Sequence, residues 1–360
     1  MCYQYYAATT LVPPHIHRRL FAIIDTIHRN CWKEITGIDP MQMPNASMIR
    51  LFQPVEDRGF GIFPYEHCGW TMLQQAATRA REMITQLNLK FAAPTDPDIP
   101  ANFQTLWQSW KSFSIGVGRV KGRWMPTSWL SIRPITRMTT LDDCTTEFYC
   151  KLLTGMLEPV HYWCPQVNKY IDQLTESEDD IIARNRFIHH IMSCTHCGSS
   201  GFILRHDKVA SALARTLRYH MIACQYEPKD CPLKDRGKGG PDLLVFVDDT
   251  PTMIDVAVCK DDNIQNSIAS TIKNKESQKR AKYDATIKNS NYNMVPFVMS
   301  IYGAYGKAAI DVIEHWQQEI GIGALKADIL QHTTMALITG LYNGYLVLSN
   351  RNSDYAKNNE

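Results

Sequence analysis

Two aspartates are the residues best placed by type and spacing to do chemistry. Pro241-Asp242 is followed after twelve residues by Asp255, with Lys260, Lys279 and Lys282 downstream. Phosphodiester hydrolysis needs a divalent ion that polarises the phosphate and lowers the pKa of an attacking water, and two carboxylates brought together at paired strands can hold that ion. Mg2+, or Mn2+ in its place, is therefore the expected cofactor. A lysine beside the pair is expected to orient the water and screen the developing charge. Asp255 lies in Met-Ile-Asp-Val-Ala-Val, an apolar run. An unpaired carboxylate there would cost several kcal/mol, so a compensating cation or metal is expected against it.

The elements that must carry these groups are legible as periodicity. Leu243–Val247 and Met253–Val258 are apolar runs of strand length, joined by the turn Asp248-Asp249-Thr250-Pro251. A hairpin there returns Asp255 beside Asp242. Upstream, Arg205–Met221 is amphipathic, with Val209, Ala212, Leu213, Thr216, Leu217 and Met221 on one face and Lys208, Arg215 and Arg218 on another. Downstream come a lysine-rich helical stretch and a third strand candidate, Met294–Ile301. Helix, strand, strand, helix, strand is an α/β core. Before Cys194 the chain reads as mostly helical, with helical patterns over residues 15–37 and 70–89 and, with interruptions, from about Thr145 towards His190. The expected division is a helical region over residues 1–185, an α/β domain over 186–325, and a C-terminal helix with a frayed tail over 326–360.

At 360 residues, 44% hydrophobic, the chain is long enough for two domains with real cores. A net charge of +2 is ordinary, so a polyanionic partner has to be argued from where the charges lie. Two stretches are locally basic. One lies between Asp98 and Asp142, where Lys111, Arg119, Lys121, Arg123, Arg133 and Arg137 are interleaved with Trp107, Trp110, Trp124 and Trp129. The other holds Lys273, Lys275, Lys279, Arg280, Lys282 and Lys288 and suits phosphate contacts. The candidates for touching nucleic acid are Arg205, His206, Lys208, Arg215, Lys275, Arg280 and Tyr283. The N-terminus lacks a signal-peptide pattern, and the apolar stretch Met335–Leu348, broken by Asn343, is too short to span a bilayer, so an intracellular protein, nuclear or cytoplasmic, is expected with no membrane partner. Eleven cysteines in such a compartment read as thiols or metal ligands rather than a disulfide framework. Cys194-x2-Cys197 reads either as two zinc ligands, completed by His196, His206, or the pair His189 and His190, or as two inert thiols. Phe246-Val247-Asp248-Asp249 has the aromatic-x-Asp-Asp form of polymerase sites, but no third upstream aspartate or surrounding palm is evident, and the two acids read as solvated turn residues.

Taken in order, Cys194-x2-Cys197, Arg205-His206-Asp207, Glu227-Pro228, Pro241-Asp242-x12-Asp255, Lys279-x2-Lys282-Tyr283, and Val295-Pro296-Phe297-Val298 with Gly303 resemble the restriction-like endonuclease of LINE-type non-LTR retrotransposons. The resemblance implies a PD-(D/E)XK fold, a small mixed sheet flanked by helices. It also implies a DNA-nicking activity that primes reverse transcription of element RNA, and, since no polymerase core is present, a reverse transcriptase supplied elsewhere. It assigns Asp242 and Asp255 to the metal, Lys279 or Lys282 to catalysis, and Glu227 to the vicinity. Ala257 stands where a lysine commonly follows the second acid, so the later lysines would substitute. Glu56-Asp57-Arg58-Gly59-Phe60-Gly61-Ile62 is similar to the region that follows the polymerase core in the same polyproteins.

Overall fold

The structure is a computed structural model. It describes residues 14–44, 139–174, 186–191, 199–228, 240–247, 250–259, 268–288 and 290–357, with isolated positions at 47–48, 51, 60, 62, 74, 77–82, 85–86, 194 and 196–197. The chain divides into two compact units, residues 1–119 and 120–360. In the first unit α1 (Pro14–Thr36) buries Phe21 and Trp32 and ends at Gly37, whose φ of 70° lets its amide turn back to the Lys33 carbonyl. The Trp-rich basic stretch, most of the 70–89 helix and nearly all of the Glu56–Ile62 motif lie outside the described residues.

In the second unit Asp142 caps α2 (Asp143–Thr154), its carboxylate accepting the Thr145 amide at 2.7 Å. A two-stranded antiparallel hairpin follows, β1 (Trp163–Cys164) and β2 (Lys169–Tyr170), then the short α3 (Arg186–Ile191) and the long α4 (Ser199–Tyr219). The hairpin is one of the interruptions in the helical patterning that the sequence shows between Thr145 and His190. The main sheet has the order β3 (Ala223–Tyr226), β4 (Leu243–Phe246), β5 (Thr252–Cys259), β6 (Asn293–Ser300). Its first two pairings are antiparallel and β5–β6 is parallel. Parallel neighbours require a crossover, and α5 (Ile268–Ile287) supplies it. α6 (Lys307–Ile320) and α7 (Leu325–Lys357) complete the chain. This is a small mixed sheet flanked by helices.

All eight residues of β5 are buried, which requires cover on both faces. Alternation along the strand divides the work. Met253, Ala257 and Cys259 pack with Ile272 and Tyr283 of α5. On the other face α4 lies against β3 and β5, and α7 runs along α4. The two helices touch where α7 has no side chain: a Cβ on Gly340 would lie 2.5 Å from the Cα of Arg205. Relief there would have to come from backbone, so we expect Gly340→Val to destabilise the protein by about 3 kcal/mol, with a melting point lower by roughly 10 °C. A melting curve within a degree or two of wild type would show that the helices can part.

Two expectations need correction. The strand β3 was not foreseen, because Ala-Cys-Gln-Tyr is a short, half-exposed edge strand without an apolar run. The C-terminal segment is not a free tail from residue 350, since α7 continues to Lys357. α2 packs on α7, and α7 on α4, so both helices belong to the unit that holds the sheet.

Candidate functional site

Asp255 projects from the middle of β5 toward α5, between Met253 and Ala257, and is only 3% exposed. The inner face of α5 reads Ile272, Glu276, Lys279 and Tyr283, spaced by four, three and four residues, so a lysine arrives over the sheet among apolar neighbours. The Lys279 ammonium donates to Asp255 Oδ1 at 2.7 Å, and the Lys282 ammonium lies 3.6 Å from Oδ2. Lys282 is held there by Tyr283, donating to its hydroxyl at 2.7 Å and lying 4.5 Å from its ring centroid. Asp255 Oδ2 is buried and accepts no hydrogen bond among the described residues. The cation expected against Asp255 is thus present as two ammonium groups.

Asp242 lies just ahead of β4, where the ladder with β5 runs out. Its amide donates to the Ile254 carbonyl, and its Oδ2 accepts the Val256 amide at 2.6 Å. A carboxylate thus replaces the backbone carbonyl that would otherwise continue the ladder. The carboxylate of one aspartate therefore touches the residue that follows the other. Asp242 Oδ2 also faces His206 Nε2 at 3.2 Å, while His206 Nδ1 faces Asp207 at 3.0 Å. Burial alone would lower the pKa of His206, but the hydrogen bonds and charges of Asp242, and then of Asp207, outweigh it and raise it to about 9. The imidazolium donates from both nitrogens. The folded pKa lies above the unfolded value near 6.5, so this stabilisation is complete below about pH 6.5 and disappears as pH rises through about 9. In metal-free buffer the wild type is expected to lose on the order of 3 kcal/mol over that window, and His206→Gln to lose much less. Denaturant titrations at pH 6 and 9.5 compare them, and equal losses in both proteins would remove the histidine from the account.

Glu227 does not join the pair. It is exposed, with φ at +47°, and its contribution is a backbone amide donated to the Asp242 carbonyl at 2.8 Å. Two of the residues expected to touch nucleic acid are corrected. Arg205 is 2% exposed and donates to the Val258 carbonyl at 3.3 Å, under the Gly340 crossing, so it braces α4 on the sheet. Tyr283 is also 2% exposed and acts through Lys282. His206 serves Asp242. Arg280 is exposed and Lys275 half-buried on α5. Lys208 and Arg215 lie about half a turn around α4 from His206, at 100° per residue, and so belong to a different surface.

A second cluster forms where the β1–β2 hairpin meets α3 and the start of α4. Cys164, His190, Cys194 and Cys197 each present one donor atom, all within 4.8 Å of one another, and can hold a metal ion. Cys164 Sγ lies 3.6 Å from Cys194 Sγ and 3.2 Å from His190 Nε2, and Cys197 Sγ is 3.6 Å from His190 Nε2. Burial raises the Cys197 thiol pKa. For Cys164 burial acts the same way, but hydrogen bonds from the Val167 and Gln166 backbone and from the neighbouring thiols hold its pKa below the ordinary value. Of the histidines considered, only His190 is at the cluster. His189 bonds Tyr302 at 2.9 Å, His196 is exposed, and His206 is with Asp242. Cys164 was missed because it lies 30 residues before Cys194. The signal that could have found it is the hairpin segment Cys164-Pro165-Gln166-Val167-Asn168, whose Asn168 has φ at +51°.

No protein-family model matches the chain, and no curated protein matches it. Among the described residues, no helix is long and apolar enough to cross a membrane.

Proposed function

We propose that the chain is a metal-dependent endodeoxyribonuclease of PD-(D/E)XK type that nicks DNA, as the resemblance to the LINE-type restriction-like endonuclease implies. The observation that carries this reading is the convergence of Asp242 on the backbone beside Asp255, with Lys279 and Lys282 against the second carboxylate. Asp255 Oδ2 is buried without a hydrogen bond, and Asp242 Oδ1 has no partner among the described residues, so each acid keeps one oxygen for a divalent ion. Mg2+ or Mn2+ bound there would polarise the phosphate and acidify a water. Lys279 would then orient that water, Lys282 would screen the phosphate, and His206 would hold Asp242 in place. Lys275 and Arg280 on α5 would contact flanking phosphates. In the setting that the resemblance implies, the nick would prime reverse transcription of element RNA.

The Cys/His cluster is proposed to bind zinc. Tetrahedral ligands at about 2.3 Å (sulfur) and 2.0–2.1 Å (nitrogen) lie roughly 3.6–3.8 Å from each other. Three of the donor pairs here, at 3.2 to 3.6 Å, are already near that spacing.

A second reading, a nucleic-acid-binding relic without hydrolysis, is favoured by one feature: both carboxylates already serve the fold, Asp242 as a ladder cap and Asp255 as an ion-pair partner. Nicking of supercoiled plasmid with and without Mg2+, by wild type and by Asp242→Ala and Asp255→Ala, separates the two. Metal-dependent nicking lost in both variants supports the enzyme; DNA binding without nicking by the wild type supports the relic.

A further inference from the structure

We propose that a groove between α4, α7 and the segment leading into α2, on a different face of α4 from the carboxylate pair, binds a phosphorylated nucleoside, either free or as a unit of a single strand. The cavity has a volume of about 680 Å³, within the range of small-ligand sites. One wall is a face of α4 made by Lys208, Ala212 and Arg215, residues spaced by four and three positions. The opposite wall is a matching face of α7, including Met335 and Ala336. Ala336 is half-buried and leaves space that a larger side chain would fill, while Ala212 is buried at the base of the α4 face. The two cations stand seven residues apart on the helix, about 10 Å along its axis, on either side of Ala212.

The charge balance selects an anion. Neither Lys208 nor Arg215 forms a salt bridge among the described residues; the Arg215 guanidinium donates only to the Ser211 carbonyl of its own helix. The carboxylate on the rim, Asp142, is engaged in capping α2. Between the cations the floor is apolar, with Leu141, Ala212 and Met335 lining it. A phosphate flanked by basic side chains, with a flat base over an apolar floor, fits this combination better than a bare anion or a purely apolar ligand. The groove stands whether or not the carboxylate pair is hydrolytic.

The test is fluorescence anisotropy with a labelled, 5′-phosphorylated octathymidylate, using adenosine monophosphate and inorganic phosphate as competitors. The double variant Lys208→Gln/Arg215→Gln is expected to bind the oligonucleotide at least about tenfold more weakly, with a salt dependence reduced by about one to two ions. Ala336→Leu, which fills the groove without changing charge, is expected to weaken binding similarly. Ala336→Val does the same with less bulk should Ala336→Leu fail to fold, with melting curves reporting the fold. Full competition by adenosine monophosphate identifies a free nucleotide as ligand, whereas competition by oligonucleotide alone identifies a strand; both support the groove. The proposal is overturned if the double variant and the gap-filling variant bind within twofold of wild type, or if wild type binds neither probe. Loss of plasmid nicking with oligonucleotide binding intact bears on the carboxylate pair alone.

Discussion

Asp255→Asn protein is expected to nick supercoiled plasmid roughly a thousandfold more slowly than wild type at saturating Mg2+, since a lost metal ligand removes several kcal/mol of transition-state stabilisation. Asp242→Ala is expected to fall comparably. A rate loss alone would not be decisive, because both residues also support the fold. Removing Asp255 leaves the Lys279 ammonium, 19% exposed, beside buried β5, and breaking one side of a buried pair costs about 3–5 kcal/mol. The discriminating variant is Asp255→Leu/Lys279→Met, which removes both charges together. It is expected to recover much of the stability lost in either single variant, as apolar replacements of buried pairs often do, and to remain inactive. A double variant with native stability and native nicking would end the hydrolytic reading. So would a wild type whose nicking is indifferent to Mg2+ and to both aspartates.

The sheet was readable where its strands are buried on both faces. Met253–Val258 had to be covered on each side, and its single acid had to have a cation, which the structure supplies from α5. Spacing also brought Asp242 back beside Asp255, because a hairpin admits few registers. What was not readable depends on packing between distant segments. Arg205 looked like a surface cation in a polar triplet, yet the absence of a side chain at Gly340, far along the chain, closes α7 over it. Tyr283 follows two lysines and resembled a nucleic-acid contact, but helical phase turns it inward beside Ile272, Glu276 and Lys279. The edge strand β3 has no apolar run because its side chains are alternately exposed and half-buried, so none has to be apolar. In each case the local sequence supplied a residue type, and the fold decided whether water could reach it.

The metal cluster is the extreme instance, and removal of its ion is expected to have the largest effect on stability. Its four ligands come from the β1–β2 hairpin, from α3 and from the turn before α4, three short pieces of chain. Without a cation the thiols and imidazole are close-packed donors with no shared partner; with one they become a covalent-strength tie between these pieces. Purified protein is therefore expected to contain one zinc per chain. A strong chelator should destabilise it by at least about 3 kcal/mol, lowering the melting temperature by roughly 10 °C, reversibly on zinc addition. Cys164→Ser and His190→Ala should reduce the zinc content sharply. Replacing His189, His196 or His206, the alternatives that the sequence left open, should not, nor should Cys31→Ser, which alters an exposed thiol in the other unit. Cobalt substitution adds a spectroscopic readout: thiolate-to-cobalt charge transfer should weaken in Cys164→Ser and persist in Cys31→Ser. Cobalt spectra identical in wild type and Cys164→Ser would exclude that residue from the ligand set. The hairpin would then be held by packing around Cys164 rather than by a metal.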